Sequence, residues 1–387
     1  MIGQLSLLHD NMDIYLFTYA VLVIQQIIGF FSKDIYFNVK VGNGILSSKN
    51  NPINILMMVV VFFLLFFIFY LRSETIGTDY NQYLYFMDIM QTYRWGDLLS
   101  LSQSNKIEYI FLVLSKVMTI VTEDRYILMG CWYLVFIISL GIFFLRGCRR
   151  PYFSMYLFFS FGLFNQSMNI TRQYVAASLL GLAFIFFLDK ETKKFILAVI
   201  GATAIHTSAI LGMTILLLKF DNIKKNIRII TLIGVGLSLY LAYNFSHVFS
   251  VLGLANSDID YMRYIVTERF EGGLGIGLLI NLLIYLAYFI FYKKFLREDD
   301  GAPLWLTCAA LTLAINIVSI NTSIIARLLI YFKIAMLVSI PRFIDSCIYD
   351  KKIKYFVYTM VVIVCGLYYM YILVNTPLYD TVPYIFR

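Results

Sequence analysis

The sequence predicts an all-α, polytopic integral membrane protein, and its composition and its long apolar runs lead to that prediction. Of the 387 residues, 60% are hydrophobic and only 14% are charged, and the mean hydropathy is +0.79. A soluble domain could not bury so much apolar surface, because globular chains carry about 25% charged residues. Uninterrupted runs such as 53–69 (INILMMVVVFFLLFFIF) lack the alternation of a membrane β-barrel, so lipid-spanning helices are expected.

The apolar segments divide the chain into about twelve predicted spans, some of them short or broken. The first has acidic residues before it and no small-residue cleavage site, which favours a span over a cleaved signal peptide. The predicted spans are 12–31, 53–71, 126–145, 152–164, 174–188, 195–205, 207–218, 229–245, 276–292, 303–320, 323–340 and 355–374. Because no internal repeat or soluble segment interrupts them, a single membrane domain covering 1–387 is expected.

Lys and Arg are distributed unequally between alternate loops, which predicts the orientation. With the N-terminus outward, the inward loops hold 20 of these residues and the outward segments hold 10, while Lys333 lies within a span. All six inward loops carry several positive charges, as expected on the cytoplasmic side of a membrane. Both termini are therefore predicted to face outward, together with two longer loops, 72–125 and 246–275.

Two apolar segments are not read as simple spanning helices. Residues 107–121 are short and include Glu108 and Lys116, so a re-entrant or interfacial helix is predicted there. Residues 195–218 are predicted to form two short helices that meet at a break near His206, because one continuous helix would place a basic loop outward. Broken helices at membrane depth are tolerated where they are buried or line a cavity.

Polar residues that could take part in a reaction lie on the predicted outward side. They are Arg72, Asp79 and Tyr83 after the second span, Glu108 in the interfacial helix, Arg172 and Gln173 at the start of a helix, His206 and Ser208 at the helix break, Arg263 and Arg269 in the second outward loop, and Arg327 and Tyr331 at i, i+4 spacing in the span predicted to end at Pro341. Ionisable groups at membrane depth are costly, so each of them is a functional candidate.

Most of these candidates also have a purely structural interpretation. Arg72 could anchor a helix end at the membrane interface, and Asp79 after Gly-Thr could be a turn residue or a helix N-cap. His206 could be a packing residue, and Glu108 could be an interfacial side chain. Arg172 is harder to explain structurally, because the helix dipole opposes a cation at the start of a helix.

The combination of side chains points to transfer chemistry on a phosphorylated lipid. Arginine suits phosphate, because its charge is permanent and its planar group bonds two oxygens at once. No Asp, His or Glu set has metal-ligand spacing, and the five cysteines lie far apart, so neither a metal nor a cofactor nor a disulfide is expected. The net charge of +8 is spread over short loops without a basic block, which argues against nucleic-acid binding.

Five short motifs follow one another along most of the chain. They are Arg72…Gly77-Thr78-Asp79-Tyr80…Tyr83, Glu108-Tyr109-Ile110-Phe111, Arg172-Gln173-Tyr174-Val175-Ala176, Lys194-Phe195…Ala204-Ile205-His206-Thr207-Ser208-Ala209 and Arg327…Tyr331-Phe332…Pro341. Together they resemble the EpsG/Wzy-type polysaccharide polymerase family, and the fourth motif is the most specific. The chain departs from the family pattern in its longer first inward loop, 32–52, and in lacking a proline after Glu108.

The resemblance implies a GT-C-like helical enzyme of the bacterial cytoplasmic membrane that polymerises O-antigen, capsule or exopolysaccharide. Such an enzyme transfers a growing glycan from undecaprenyl pyrophosphate to another lipid-linked repeat unit. Its partners would be these undecaprenyl-pyrophosphate-linked oligosaccharides and the lipid bilayer. A chain-length regulator is a further expected partner, with Arg263 and Arg269 contacting it or the sugars.

The resemblance also implies roles for the candidate residues. We expect Arg172 and Arg327, aided by Arg72, to neutralise the departing pyrophosphate without a metal ion. Asp79 or His206 is expected to orient or deprotonate the acceptor hydroxyl. The other candidates are expected to bind substrate.

Two alternative functions remain open. An O-antigen ligase would use the same donor with a different acceptor. A glycolipid flippase or other transporter belongs to another class, and would be expected to show internal repeats and a charge path at the bilayer midplane.

Overall fold

The protein is described by a computed structural model that covers residues 12–31, 37–41, 44–48, 52–245, 275–321, 323–376 and 380–387. The α-helices are α1 Asp13–Phe31, α2 Pro52–Tyr70, α3 Tyr80–Thr92, α4 Leu98–Asn105, α5 Tyr109–Met118, α6 Arg125–Gly147, α7 Pro151–Ser160, α8 Leu163–Asn169, α9 Thr171–Leu188, α10 Thr192–Ile205, α11 Asp221–Lys225, α12 Ile227–Tyr243, α13 Ile276–Ile290, α14 Tyr292–Glu298, α15 Ala302–Val318, α16 Ser323–Ala326, α17 Ile330–Cys347 and α18 Lys351–Asn375. Segments of 3₁₀ helix are Trp95–Asp97, Thr207–Lys219, Ser319–Asn321 and Arg327–Leu329.

One short hairpin departs from the all-α expectation. Strands β1 (Phe37–Val41) and β2 (Gly44–Ser48) pair antiparallel within the predicted inward loop 32–52. The pairing joins Val41 to Gly44 at the turn. The hairpin therefore accounts for part of the extra length of this loop.

Several described helices are long and apolar enough to cross a membrane. They are Asp13–Phe30, Arg125–Gly147, Thr171–Leu188, Ala302–Asn321 and Lys351–Asn375, and the pair α13 and α14, bent by 71°, would make a sixth. Shorter apolar helices are Ile55–Tyr70, Tyr109–Met118, Thr207–Lys219 and Ile227–Tyr243. The chain is thus a helical membrane protein with several candidate spans, while a total of about twelve and a GT-C-like architecture stay predictions.

The predicted span at 152–164 is interrupted by a turn. Helix α7 ends and α8 begins around Gly162, whose φ of +69° lies in the left-handed region that glycine adopts without strain. Apolar residues surround this glycine on both sides, so the hydropathy pattern shows no break there. The turn shortens α7 and allows α8 to end at Asn169, just before α9.

The predicted span at 323–340 lies further along the chain in the structure. Helix α17 continues through Pro341, so the prediction that this proline ends the helix is wrong. Immediately after it, Arg342 donates from Nε and Nη2 to the two oxygens of Asp299, at 2.6 and 2.8 Å. This ion pair joins the last turns of α17 to the link between α14 and α15.

Two local predictions near the candidate residues are confirmed, and the short length of α5 agrees with a third, its re-entrant or interfacial position, which stays a prediction. Helix α9 begins at Thr171, which places Arg172 in its first turn. Helix α10 ends at Ile205, and the extended backbone of His206 (φ −151°, ψ 116°) leads into 3₁₀ helix, so the predicted break exists. Helix α5 has 10 residues, or about 15 Å of rise, which is half of the ~30 Å hydrocarbon thickness that a span needs.

Contacts group the chain into two compact units. The first comprises Met1–Ile210 with Asp350–Arg387, and the second comprises Leu211–Tyr349. In the first, α9 packs between α6 and α10, while α1 and α18 pack on α7. In the second, α15 packs against α12, α13 and α17. The single membrane domain expected from the sequence stays a prediction, and the predicted outward loop 246–275 lies, except for its last residue, outside the described residues.

A close approach between α6 and α9 positions the helix that carries Arg172. Gly181 of α9 faces the ring of Phe143 on α6, and a Cβ at residue 181 would lie 2.9 Å from Phe143 Cγ. Phe143 is fully buried and Leu140 beside it is also buried. The absence of a side chain at Gly181 therefore sets the distance between the two helices.

We expect Gly181→Ala to destabilise the protein by about 1–3 kcal/mol, because Phe143 Cγ is close to its own backbone and cannot swing away from the new methyl group. The matched control is Gly201→Ala on α10, where a Cβ would meet nothing within 4 Å. There the higher helix propensity of alanine should be neutral or stabilising by up to about 1 kcal/mol. Thermal unfolding in one detergent measures both, and equal changes would contradict this account of the interface.

Candidate functional site

A buried ion pair joins the start of α5 to the first turn of α9. Glu108 Oε2 accepts a hydrogen bond from Arg172 Nη1 at 2.7 Å, and the two side chains are only 10% and 18% exposed. Glu108 occupies the N-cap position of α5 but makes no side-chain capping bond there. Its carboxylate instead compensates the desolvated charge of Arg172, which is the condition under which a buried ion pair persists.

The second oxygen of the same carboxylate reaches the helix break. Glu108 Oε1 accepts from the backbone N–H of Thr207 at 2.9 Å and lies 3.4 Å from Thr207 Oγ1. His206 Nδ1 lies 4.0 Å from this oxygen and 2.8 Å from Ser208 Oγ. The first N–H groups of a helix have no partner within the helix, so Glu108 supplies one for the 3₁₀ segment. We call Glu108, Arg172, His206, Thr207 and Ser208 the Glu108 cluster.

Aromatic rings surround the guanidinium of Arg172. Its Cζ lies 5.7 Å from the ring centroid of Tyr83 on α3 and 5.3 Å from that of Phe111 on α5. Phe111 stacks at 4.7 Å on Trp132 of α6, whose Nε1 donates to Ser115 Oγ at 2.9 Å. Cations near aromatic rings gain electrostatic stabilisation. Residues of three helices therefore define where the Arg172 charge can lie.

Asp79 lies one helical turn before Tyr83. It occupies the N-cap position of α3 with φ −97° and ψ −6°, yet its side chain makes no capping hydrogen bond. Asp79 is thus the N-cap residue that its structural interpretation expected, although its side chain makes no capping hydrogen bond. The i, i+4 spacing places Asp79 on the face of α3 that carries Tyr83. Its half-buried carboxylate makes no hydrogen bond to the first turn of α3.

The turn before Asp79 is fastened to the end of α8. Asn169 Oδ1 accepts from the backbone N–H of Asp79 at 2.7 Å and from Thr78 Oγ1 at 2.9 Å. Gly77 has φ +93°, and a Cβ there would lie 3.6 Å from Asn169 Oδ1 in a conformation that strains other residues. Asn169 was not among the predicted site residues, although it lies three residues before Arg172 in a polar run (165–173, NQSMNITRQ) between apolar segments.

Arg72 lies next to Gly77 of this turn and is fully buried. Its Nη1 donates to the Met168 carbonyl at 2.6 Å, and its Cζ lies 4.2 Å from the Phe69 ring and 3.6 Å from the Tyr80 ring. Burial lowers the pKa of Arg72 from its ordinary value, because desolvation penalises the charged form. An arginine nevertheless stays protonated. These contacts are those of a structural anchor, and the expected contact with substrate stays a prediction.

The last residues of the chain brace the same loop from another side. Within 380–387, Ile385 O accepts from Ser73 N at 2.8 Å, and Asp380 O accepts from Gly77 N at 3.0 Å. These backbone bonds satisfy amides that an irregular loop would leave without partners. The loop that presents Asp79 is therefore held along its whole length.

The remaining predicted site residues are not part of the Glu108 cluster. Gln173 is buried next to Arg172. Arg327 is exposed at a 3₁₀ turn and Tyr331 is fully buried, and both belong to the second compact unit. Arg263 and Arg269 lie outside the described residues. In the part of the chain that the structure describes, no group of three or more His, Cys, Asp or Glu side chains is placed to hold a metal ion.

Fold and site together define a helical membrane protein with an Arg–Glu–His cluster at a broken helix. Residues 55–386 match the EpsG family, and the chain belongs to that family. The resemblance found in the sequence motifs is thereby confirmed, and membership supports a polysaccharide-polymerase type of role for a membrane glycosyltransferase-like protein. Neither a curated protein nor a solved structure matches the chain.

We expect strong coupling between Glu108 and Arg172, because removal of either leaves the other as a buried charge without its counter-ion. Glu108→Gln and Arg172→Gln should each destabilise the protein, and the double variant should lose less than the two single losses combined. The coupling free energy should fall within about 0.5–3 kcal/mol. Thermal unfolding in detergent measures the cycle.

The control cycle uses Glu191 and Lys194, a pair with side chains 36% and 60% exposed. Exposed pairs contribute little, typically below about 1 kcal/mol. Additive losses at Glu108 and Arg172, as in the control, would show that their ion pair does not stabilise the site.

Proposed function

We propose that the protein is a polysaccharide polymerase of the bacterial cytoplasmic membrane. It transfers a growing glycan from undecaprenyl pyrophosphate to the non-reducing sugar of a second lipid-linked repeat unit, at the outer face. The Glu108 cluster carries this proposal, since it joins a guanidinium, an imidazole and a carboxylate where a helix is broken. Family membership supports the general class of the reaction.

The leaving group requires a positive charge at the donor. In the transfer, the bond between the anomeric carbon and the pyrophosphate oxygen breaks, and its electrons stay on the pyrophosphate. Arg172 can stabilise that developing charge because its guanidinium is always protonated and is held by Glu108 and two aromatic rings. Arg327 is proposed as a second contact to the pyrophosphate. Arg72 is proposed to hold the loop that leads to Asp79.

The acceptor hydroxyl requires a group that takes its proton. Asp79 and His206 are the two candidates, since the oxygen of this hydroxyl forms the new bond to the anomeric carbon as its proton leaves. His206 Nδ1 lies 4.0 Å from a Glu108 carboxylate oxygen and 2.8 Å from Ser208 Oγ. Asp79 presents a carboxylate that does not cap its own helix.

The substrates approach from the membrane and from the outward solution. The excess of Lys and Arg in the six predicted inward loops supports an outward position for the candidate residues. Undecaprenyl chains lie in the bilayer, while the glycans and a chain-length regulator lie outside it. Tyr83, Gln173, Ser208, Tyr331, Arg263 and Arg269 are proposed to contact these substrates or the regulator.

Loss of the protein separates the proposal from its alternatives. A strain without a polymerase should display single repeat units attached to their acceptor. A strain without an O-antigen ligase should accumulate long polymer that remains on its lipid carrier. A strain without a flippase should keep the repeat units on the inner leaflet. Only the first outcome agrees with the proposal.

We expect Arg172→Ala to abolish polymer ladders when the variant is expressed in that deletion strain. Arg172→Lys should lower polymer yield by roughly tenfold or more, because loss of one oxyanion contact costs about 10²–10³ in rate and lysine does not reproduce the paired donors of arginine. The readout is the polysaccharide ladder at matched protein abundance in the membrane.

The control is Arg146→Ala. Arg146 also bonds a carboxylate, Asp189, at 2.6 Å, but it belongs to a predicted inward loop. This variant should retain ladders of normal length. Normal ladders with Arg172→Ala would refute the pyrophosphate role.

A further inference from the structure

The position of Asp79 depends on a single buried amide. Asn169 is 2% exposed, and its Oδ1 bonds both the Asp79 N–H and the Thr78 hydroxyl. Two donors converging on this atom identify it as the oxygen rather than the nitrogen of the amide. The backbone that orients the Asp79 side chain is thus tied to α8.

The same amide also binds the hydroxyl of Thr78, the residue before Asp79. Thr78 Oγ1 lies 2.9 Å from Asn169 Oδ1 and 3.4 Å from Asp79 Oδ1. A hydroxyl has one proton, and the shorter contact is the better hydrogen bond. The Thr78 hydroxyl therefore donates to Asn169, and its contact with Asp79 Oδ1 is the longer one.

The location of Asn169 couples the two parts of the site. It ends α8, two residues before α9 begins, and Arg172 lies in the first turn of α9. Arg72 donates a hydrogen bond to the carbonyl of the neighbouring Met168, so a second side chain also holds this junction. One short turn consequently sets both the Asp79 backbone and the start of the helix that carries Arg172.

We propose that Asn169 is a positioning residue that holds the Asp79 carboxylate in register with Arg172 for proton transfer from the acceptor hydroxyl. The inference rests on the proposed polymerase function. It assigns to Asn169 a role in the rate of the chemical step rather than in substrate binding. Misplacement of a reacting group by about 1 Å can cost roughly 10²-fold in rate.

The test uses the full-length protein in liposomes, supplied with lipid-linked repeat units extracted from a strain that lacks it. Asn169→Ala should lower kcat by roughly 10- to 100-fold and leave KM within about twofold, because Asp79 loses its position while Arg172 remains. Asn169→Asp keeps the acceptor oxygen but adds a negative charge. It should move the acid limb of the pH–rate profile upward by about one pH unit, because a nearby carboxylate disfavours ionised Asp79.

Ser167→Ala is the matched control. Ser167 is fully buried on the same helix, but its hydroxyl contacts Tyr133 of α6 and not the Asp79 turn. This variant should lower thermal stability and leave kcat and the pH profile unchanged. The charged residues that contact the turn, Arg72 and Asp380, are the same in every variant.

Three results would overturn the inference, and they are distinguishable. If Asn169→Ala loses activity only in proportion to folded protein and Asn169→Asp keeps the wild-type pH profile, Asn169 is merely structural. If Asp79→Asn retains full activity, there is no proton acceptor to position. If the wild-type protein does not elongate the extracted repeat units, the proposed function itself is wrong.

Discussion

The Glu108 carboxylate accepts hydrogen bonds from two groups that lie in different helices. One oxygen bonds the Arg172 guanidinium, and the other bonds the backbone N–H of Thr207 at the start of a 3₁₀ helix. The first contact makes a cation tolerable in the first turn of a helix, where the dipole opposes it. The second gives a partner to the first backbone amide after the break at His206, which has none within its own helix. The short helix α5, the broken helix and α9 are thereby joined at one point.

A second set of contacts holds the loop between α2 and α3. Arg72 lies against the rings of Phe69 and Tyr80, and the C-terminal residues 380–387 bond the loop backbone. These contacts give a rigid base to a stretch without regular secondary structure. Glu108 and Asn169 therefore have comparable roles, since each fixes an irregular segment by accepting hydrogen bonds from its backbone. Rigid supports of this kind are what a site needs to keep reacting groups in place.

Sequence reasoning succeeded where the relevant physics is local. The start of α9 at Arg172, the shortness of α5 and the break at His206 follow from hydropathy, charge and the requirement for paired amides. It failed where distant contacts decide. The turn at Gly162 is hidden in apolar sequence, and α17 continues past Pro341. Glu108 could have been no more than an interfacial side chain by its sequence, yet its carboxylate is the centre of the cluster.

The sequence by itself determined the helical membrane class, the family and the identity of most charged candidates, because apolar content and motif order are one-dimensional properties. Only the tertiary structure decided which candidates meet. Arg172 pairs with Glu108 across 64 positions of sequence, and Asn169 bonds Asp79 across 90. Partners of this kind cannot be read from spacing, because hydrogen bonds between helices depend on how the helices pack. The difference between Arg72, which is fully buried, and Arg172, which is partly exposed and paired with Glu108, arises in the same way, from packing that only the folded chain creates.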